Sequence, residues 1–246
     1  MKIKPSGDRG ILITLGDSIN EETNIKITAL AAEITDQHFA GIEDLIPSYT
    51  QLLIQYDPLI EDYETLCQTI RSLEHTVNDL SSDKQMIIRV PVLYGGDSGS
   101  DLSFVASYNH LTEEEVIRIH SSTAYLIHMI GFTPGFPYLG GLSERIRTPR
   151  LIEPRHRIKA GSVGIADNQT GIYPIDSPGG WQIIGHTPVE LFNWKNTPPT
   201  LFKAGQYIKF QPVTNEEYTT ICQEIRQGTF RIKVEEKDFD QMKVTE

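Results

Sequence analysis

Gly131-Phe132-Thr133-Pro134-Gly135-Phe136-Pro137-Tyr138-Leu139-Gly140-Gly141 divides the chain into two textures. From this segment onward Gly and Pro recur at short intervals, and short apolar runs follow at 162–166, 171–175, 181–185, 189–194 and 207–211. Short strands broken by frequent turn residues predict a β-barrel or sandwich. Within the segment, glycines let the backbone approach a ligand and prolines stiffen its path. Its three aromatic residues can line a pocket. A rigid loop folded over the core explains the same composition equally well.

Upstream, residues 123–130 read as a strand. Before them Thr112-Glu113-Glu114-Glu115 has the spacing of a capping box and opens a helix carrying Val116, Ile117 and Ile119 to His120. Asp101 is placed to cap a short helix running to Asn109. Earlier still the pattern is more regular. Residues 11–15 alternate as a strand, and Asn20 precedes a helix with Ile27, Leu30, Ala31 and Ile34 on one face. Strands follow at 42–47 and 51–56, then a helix with Leu66, Ile70, Leu73 and Val77 in its stripe, then a strand at 85–92. Cys67 lies beside that stripe and reads as a small buried hydrophobe.

The order strand, helix, strand, strand, helix, strand is that of a ferredoxin-like split βαβ domain. The expected organisation is therefore α+β: residues 1–94 as that domain, with 79–84 as a polar connection, and 95–246 as a β-barrel domain with flanking helices. The join is expected at 95–99, where three glycines cluster. At the other end, 216–226 predicts a helix and 233–246 a charged segment that frays.

Composition bounds the function. The 246 residues carry a net charge of −11, with 39% hydrophobic and 22% charged residues. That excludes disorder and argues against binding nucleic acid or anionic lipid. No apolar run is long enough to span a membrane. The start, Met1-Lys2-Ile3-Lys4-Pro5, lacks a signal core, and Cys67 and Cys222 are the only cysteines. A reducing cytoplasm is the expected location. There is no Walker loop, no dinucleotide fingerprint and no His-Glu-x-x-His or Cys-x-x-Cys, so no metal site is expected.

The candidate site residues are these. His120, followed by Ser121 and Ser122, is a candidate base, but sequence neighbours rarely face each other, and a cationic or hydrogen-bonding imidazole near a helix C-terminus is preferred to a serine mechanism. Tyr138 is the second catalytic candidate. Arg150, Arg155 and Lys159 belong to a cationic run in an acidic chain; arginine forks take carboxylate or phosphate, and anion binding is preferred to a solvated loop. Trp181, after Ser177-Pro178-Gly179-Gly180, is either a wall of the same pocket or part of a hairpin.

These residues carry a resemblance. Gly131 to Leu139, Pro149-Arg150 with Pro154-Arg155, Ala160-Gly161-Ser162-Val163, Tyr173-Pro174, Ser177 to Trp181 and Gly205-Gln206, in this order, resemble the family of 5-oxoprolinase B subunits. That family also holds the sporulation-kinase inhibitor KipI and the allophanate hydrolase subunit 1 group. The resemblance implies a ferredoxin-like domain followed by a cyclophilin-like barrel. It implies partner subunits C and A, and ATP-driven opening of 5-oxoproline to glutamate, with this chain inactive alone. The family's Gly-Arg-Thr is here Gly185-His186-Thr187, which puts a titratable group where a permanent cation is usual and weakens anion binding at His186. The alternative reading is a non-enzymatic inhibitor of a sensor histidine kinase; the enzyme component is preferred.

Overall fold

The computed structural model of the chain describes residues 1–18, 20–73 and 85–237. It divides into two compact units between Lys84 and Gln85. Val77 and the connection at 79–84 lie outside the described residues.

In the first unit, β1 (Lys2–Pro5), β2 (Gly10–Thr14), β3 (Ile42–Pro47) and β4 (Gln51–Tyr56) form an antiparallel sheet in the order β1-β2-β4-β3. Alternation sends Ile11, Ile13, Leu52, Ile54 and Tyr56 to one face. There they meet the apolar stripes of α1 (Glu21–Asp36) and α2 (Tyr63–Ser72): Ile27, Leu30, Ile34, Leu66 and Ile70. Asn20 caps α1 by accepting the Thr23 N–H at 2.8 Å, and Asp62 caps α2 through Thr65 at 2.9 Å. Cys67 is buried in this core.

The expected strand at 85–92 forms, as β5 (Gln85–Tyr94), but it does not close this sheet. The edge next to β2 is taken by β1, which the sequence reading did not anticipate. β5 instead runs parallel to β13 (Tyr207–Pro212), with Ile87 opposite Tyr207. Its inward residues Ile88, Val90 and Val92 are buried with the barrel's apolar side chains.

The second unit continues with a 3₁₀ turn at Gly96–Ser98, α3 (Leu102–Tyr108), α4 (Glu113–Ser122), β6 (Ala124–Ile130), β7 (Pro137–Leu139), β8 (Arg155–Ile158), β9 (Ser162–Ala166), β10 (Gln169–Ile172), β11 (Ser177–Gly179) and β12 (Gln182–His186). After β13 come α5 (Asn215–Gln227) and β14 (Lys233–Lys237). Seven of these described strands close a ring, β5-β12-β9-β10-β7-β6-β13 and back to β5. β8 and β11 form a separate two-stranded ribbon. The expected capping box, Thr112 with Glu115, is made, and a second one, Thr214 with Glu217, opens α5. No described helix is long and apolar enough to cross a membrane.

Three local expectations are corrected. Residues 189–194 form no strand, only a bridge from Phe192 to Thr200, in a stretch bounded by Pro188, Pro198 and Pro199. Lys233–Lys237 does not fray: it pairs antiparallel with β5, from Lys233 opposite Arg89 to Lys237 opposite Gln85, and Arg89 donates twice to Glu235 at 2.6 and 2.8 Å. Residues 238–246 lie outside the described residues. Asp101 precedes α3 but makes no capping bond with its side chain, which is spent elsewhere.

Candidate functional site

The 131–141 segment turns between β6 and β7. Gly131 N–H donates to Phe136 O and Phe136 N–H to Thr133 O, both at 3.1 Å, and Gly135 takes φ +83. The tight turn drives Phe136 inward, to 2% exposure. Its ring meets Tyr138 at 5.0 Å, Tyr173 at 5.4 Å edge-on and Trp181 at 5.5 Å edge-on. Phe132 packs edge-on against Phe136 while standing 68% exposed. Thr133 Oγ1 in the same turn is buried without a hydrogen-bond partner. The Trp181 backbone N–H bonds the Tyr173 hydroxyl, whose pKa burial pushes up to about 12. Gly179 is required here: a Cβ on it would sit 2.3 Å from that hydroxyl.

Arg150 stands at the rim of this aromatic group. Its guanidinium carbon lies 6.0 Å from the centre of the Trp181 ring. Its positive charge also opposes the upward push that burial gives the Tyr138 phenol. Its Nε approaches Asp167 Oδ2 at 3.3 Å. Arg150, Tyr138 and Trp181 are thus brought together.

The other predicted residues are not part of that group in the same way. Arg155 donates to both oxygens of Asp101 at 2.7 and 2.9 Å and to Trp181 O at 3.1 Å. Asp101 also accepts the Ile183 N–H at 2.6 Å. The Arg155 fork is therefore filled from within the protein, which argues against it as an anion ligand. The neighbouring Arg157 is likewise held, through Nε to Asp176 at 2.8 Å. Lys159 is exposed, and its charge helps hold Asp176 below the usual carboxylate range, after the Ala160 N–H and Arg157. His186 donates through Nε2 to Ala160 O at 2.8 Å and accepts from the Tyr218 hydroxyl of α5 at 2.7 Å. Burial lowers its pKa, so it is a neutral hydrogen-bonding group and not a cation.

His120 sits in the barrel core, fully buried. Thr170 Oγ1 donates to Gly164 O at 2.9 Å, so it accepts from His120 Nε2 at 2.8 Å; Nδ1 then accepts from the Tyr94 hydroxyl at 2.7 Å. Its ring stacks on Phe210 at 4.5 Å, and burial drops its pKa to about 3. A base enclosed in this way reaches no solvent-borne substrate, so neither the catalytic reading of His120 nor a cationic one at the helix end fits, and what remains is a neutral imidazole with both nitrogens hydrogen-bonded.

Sequence reasoning missed the carboxylates. Asp101, Asp167 and Asp176 decide which cations are spent, and nothing local in the sequence marks them. A cleft of about 450 Å³ beside α5, lined by Pro91, Val213, Ile221 and Phe230 among others, contains none of the predicted residues. Among the described residues no group of three His, Cys, Asp or Glu side chains is placed to hold a metal ion.

Comparisons with known proteins follow the same lines. The family of carboxyltransferase domains, subdomains C and D, matches residues 1–202. The chain is 44% identical over 228 residues to the 5-oxoprolinase B subunit of Bacillus subtilis, covering 88% of this chain and 95% of that protein. It is 38% identical over 215 residues to the Haemophilus influenzae protein of the same name, covering 85% and 97%. Among solved structures it resembles TTHA0988 with a TM-score of 0.76 at 32% identity, over 84% of this chain. It spans only 40% of that longer polypeptide.

Proposed function

The chain belongs to the family of carboxyltransferase domains, subdomains C and D, and from that premise we propose that it is the B subunit of a 5-oxoprolinase. In this reading it helps to open the lactam of 5-oxo-L-proline to L-glutamate, together with subunits A and C. One observation carries the reading: the identity to curated B subunits extends over nearly the whole of those proteins. The inhibitor of a sensor histidine kinase is not favoured, because those relatives carry the enzyme-subunit name.

Arg150, 55% exposed beside the partly exposed Tyr138, is the cation best placed to meet the carboxylate of the 5-oxo-L-proline substrate, while Trp181, 6% exposed, packs behind it as part of the core. The amide resonance of the lactam must be broken before water attacks the carbonyl and the C–N bond opens. ATP serves that purpose as co-substrate of the assembly. Arg155 and Arg157, held by Asp101 and Asp176, are not free to take a triphosphate. We therefore assign the nucleotide site to another component of the assembly and this chain alone to an inactive state. The cyclophilin-like assignment of the barrel, the ferredoxin-like assignment of the first unit and a cytoplasmic location belong to the same proposal. The two free cysteines agree with that location.

The test is ATP-dependent hydrolysis of 5-oxoproline by the chain alone and by the chain co-purified with subunits A and C. Turnover only in the assembly is expected. An assembly that leaves 5-oxoproline intact overturns the function, and full turnover by the isolated chain overturns the need for partners.

A further inference from the structure

We propose that the helix-free face of the four-stranded sheet in the first unit joins two copies of this chain about a two-fold axis. The inference is independent of the reaction proposed above.

Strand register fixes what that face carries. α1 and α2 cover the side of Ile11, Ile13, Leu52 and Ile54, so the alternate residues project from the other side. Pairing lines these up in rows across the strands, in the order β1, β2, β4, β3. One row reads Lys4, Leu12, Leu53, Ile46. The next reads Gly10, Gln55, Asp44 on β2, β4 and β3. Leu12 and Leu53 are half-buried and Ile46 is 38% exposed. Three neighbouring strands thus present an apolar strip that neither described helix of the unit covers.

The two outer strands carry opposite charge. Lys4 stands on β1 and Asp44 on β3, both exposed. Their neighbours are already paired, Lys2 with Asp17 and Arg9 with Glu43. Lys4 makes no ion pair among the described residues, and Asp44 uses one oxygen for the Leu45 N–H at 2.8 Å. Lys4 and Asp44 cannot meet within one chain, because three strand spacings, about 14 Å, separate β1 from β3.

A face of this kind is complementary to itself. A two-fold axis lying between β2 and β4, parallel to the strands, exchanges the outer strands and keeps each row level. It lays Leu12 of each copy on Leu53 of the other and the Lys4 stem on Ile46. The Lys4 ammonium then reaches along β3 of the second copy to Asp44, one row away. In that row Gln55 comes down on Gly10 of the second copy. Gly10 has no side chain and floors a hollow of about 310 Å³ lined also by Ser6, Glu43 and Leu53. Apolar groups meet apolar groups, a long side chain meets a vacant position, and a cation meets an anion. Two sheets stacked in this way lie about 10 Å apart with their strands nearly aligned.

The edges of the sheet direct association to the face. β3 bulges between Ile42 and Asp44 and ends in Pro47, and β1 ends in Pro5. Prolines and bulges blunt an edge against a further strand.

The test is sedimentation equilibrium of the full chain across the micromolar range. A face of this size is at the small end of specific interfaces, so a dissociation constant on the order of micromolar is expected. Leu53→Asp should raise it more than about ten-fold by putting a carboxylate against Leu12, with the melting curve confirming that the variant folds. Lys4→Glu and Asp44→Lys, both on exposed positions, should each raise it about five-fold. The double variant Lys4→Glu with Asp44→Lys restores the pair between copies and should return close to the parent. Because the two positions are too far apart to pair in one chain, that recovery reports contact between copies and not a repair of the fold. A monomer at every concentration overturns the proposal, as does a dimer that all three single variants leave intact. Losses that add in the double variant overturn the two-fold arrangement.

Discussion

Arg155 and Asp101, fifty-four positions apart, are joined by two hydrogen bonds, and the same carboxylate accepts the Ile183 N–H. The pair fastens β8 to β12 and to the start of α3. Arg155→Lys keeps the charge but loses the fork, and is expected to cost on the order of 2 kcal/mol of stability. Arg150→Lys should leave the melting temperature within a degree or two of the parent, since its pair is half exposed. Thermal unfolding of the two variants side by side checks the contrast, and equal losses would contradict it.

His120 makes the barrel acid-sensitive. Its folded pKa, about 3, is below the ordinary value near 6.5. Between those values the unfolded chain binds the extra proton, so stability is full above about pH 6.5 and falls as pH drops toward 3. The slope reaches at most about 1.4 kcal/mol per pH unit. Carboxylates held low, such as Asp176 and Glu235, add loss of the same sign. His120→Gln should be less stable at pH 7 yet lose less between pH 7 and 4. Chemical denaturation at the two pH values measures the difference, and parallel losses would show that His120 is not the sensor.

Gly179→Ala would bring a methyl group within 2.3 Å of the Tyr173 hydroxyl. Overpacking of this kind typically costs about 1–3 kcal/mol. Tyr173→Phe in the same chain removes the oxygen in the way and should recover part of the loss. Melting curves of the single and double variants test it; an additive double variant would place the strain elsewhere.

β5 belongs to the barrel. A fragment beginning at Gln85 is expected to give a folded barrel with a cooperative melt. One beginning at Gly95 lacks the strand that pairs with β12, β13 and β14 and should be insoluble or molten. Circular dichroism and heteronuclear NMR of the two fragments decide between them.

Much of the secondary structure was legible because it is local. The capping box at Thr112, the stripes of α1 and α2 and the alternation of β2 are short-range patterns. Strand partners are not. The run at 85–92 reads as a strand whichever sheet it joins, and only its parallel partner 207–212 decides that it is a barrel strand. The same limit applied to the site. The cations at 150–159 stand out in an acidic chain, but whether each is free depends on a carboxylate brought in by the fold, at position 101, 167 or 176. The turn before Trp181 was legible, but that residue's near-complete burial, like that of His120, is set by distant segments and is invisible in the sequence.

Arg89 and Glu235 lie 146 positions apart, yet they meet across neighbouring strands. At roughly 5–20 residues per second, a ribosome takes roughly 7–30 s to travel between them. For most of that interval Met86 to Leu93, a largely apolar run, has neither β13 nor β14 to pair with. The barrel is therefore assembled after most of its chain has been synthesised, and its non-local pairing makes it the slower-folding unit. The first unit, whose strands pair at short separation, is free to form while synthesis continues. Expression yield should therefore respond to growth temperature and chaperone supply through the waiting β5 strand.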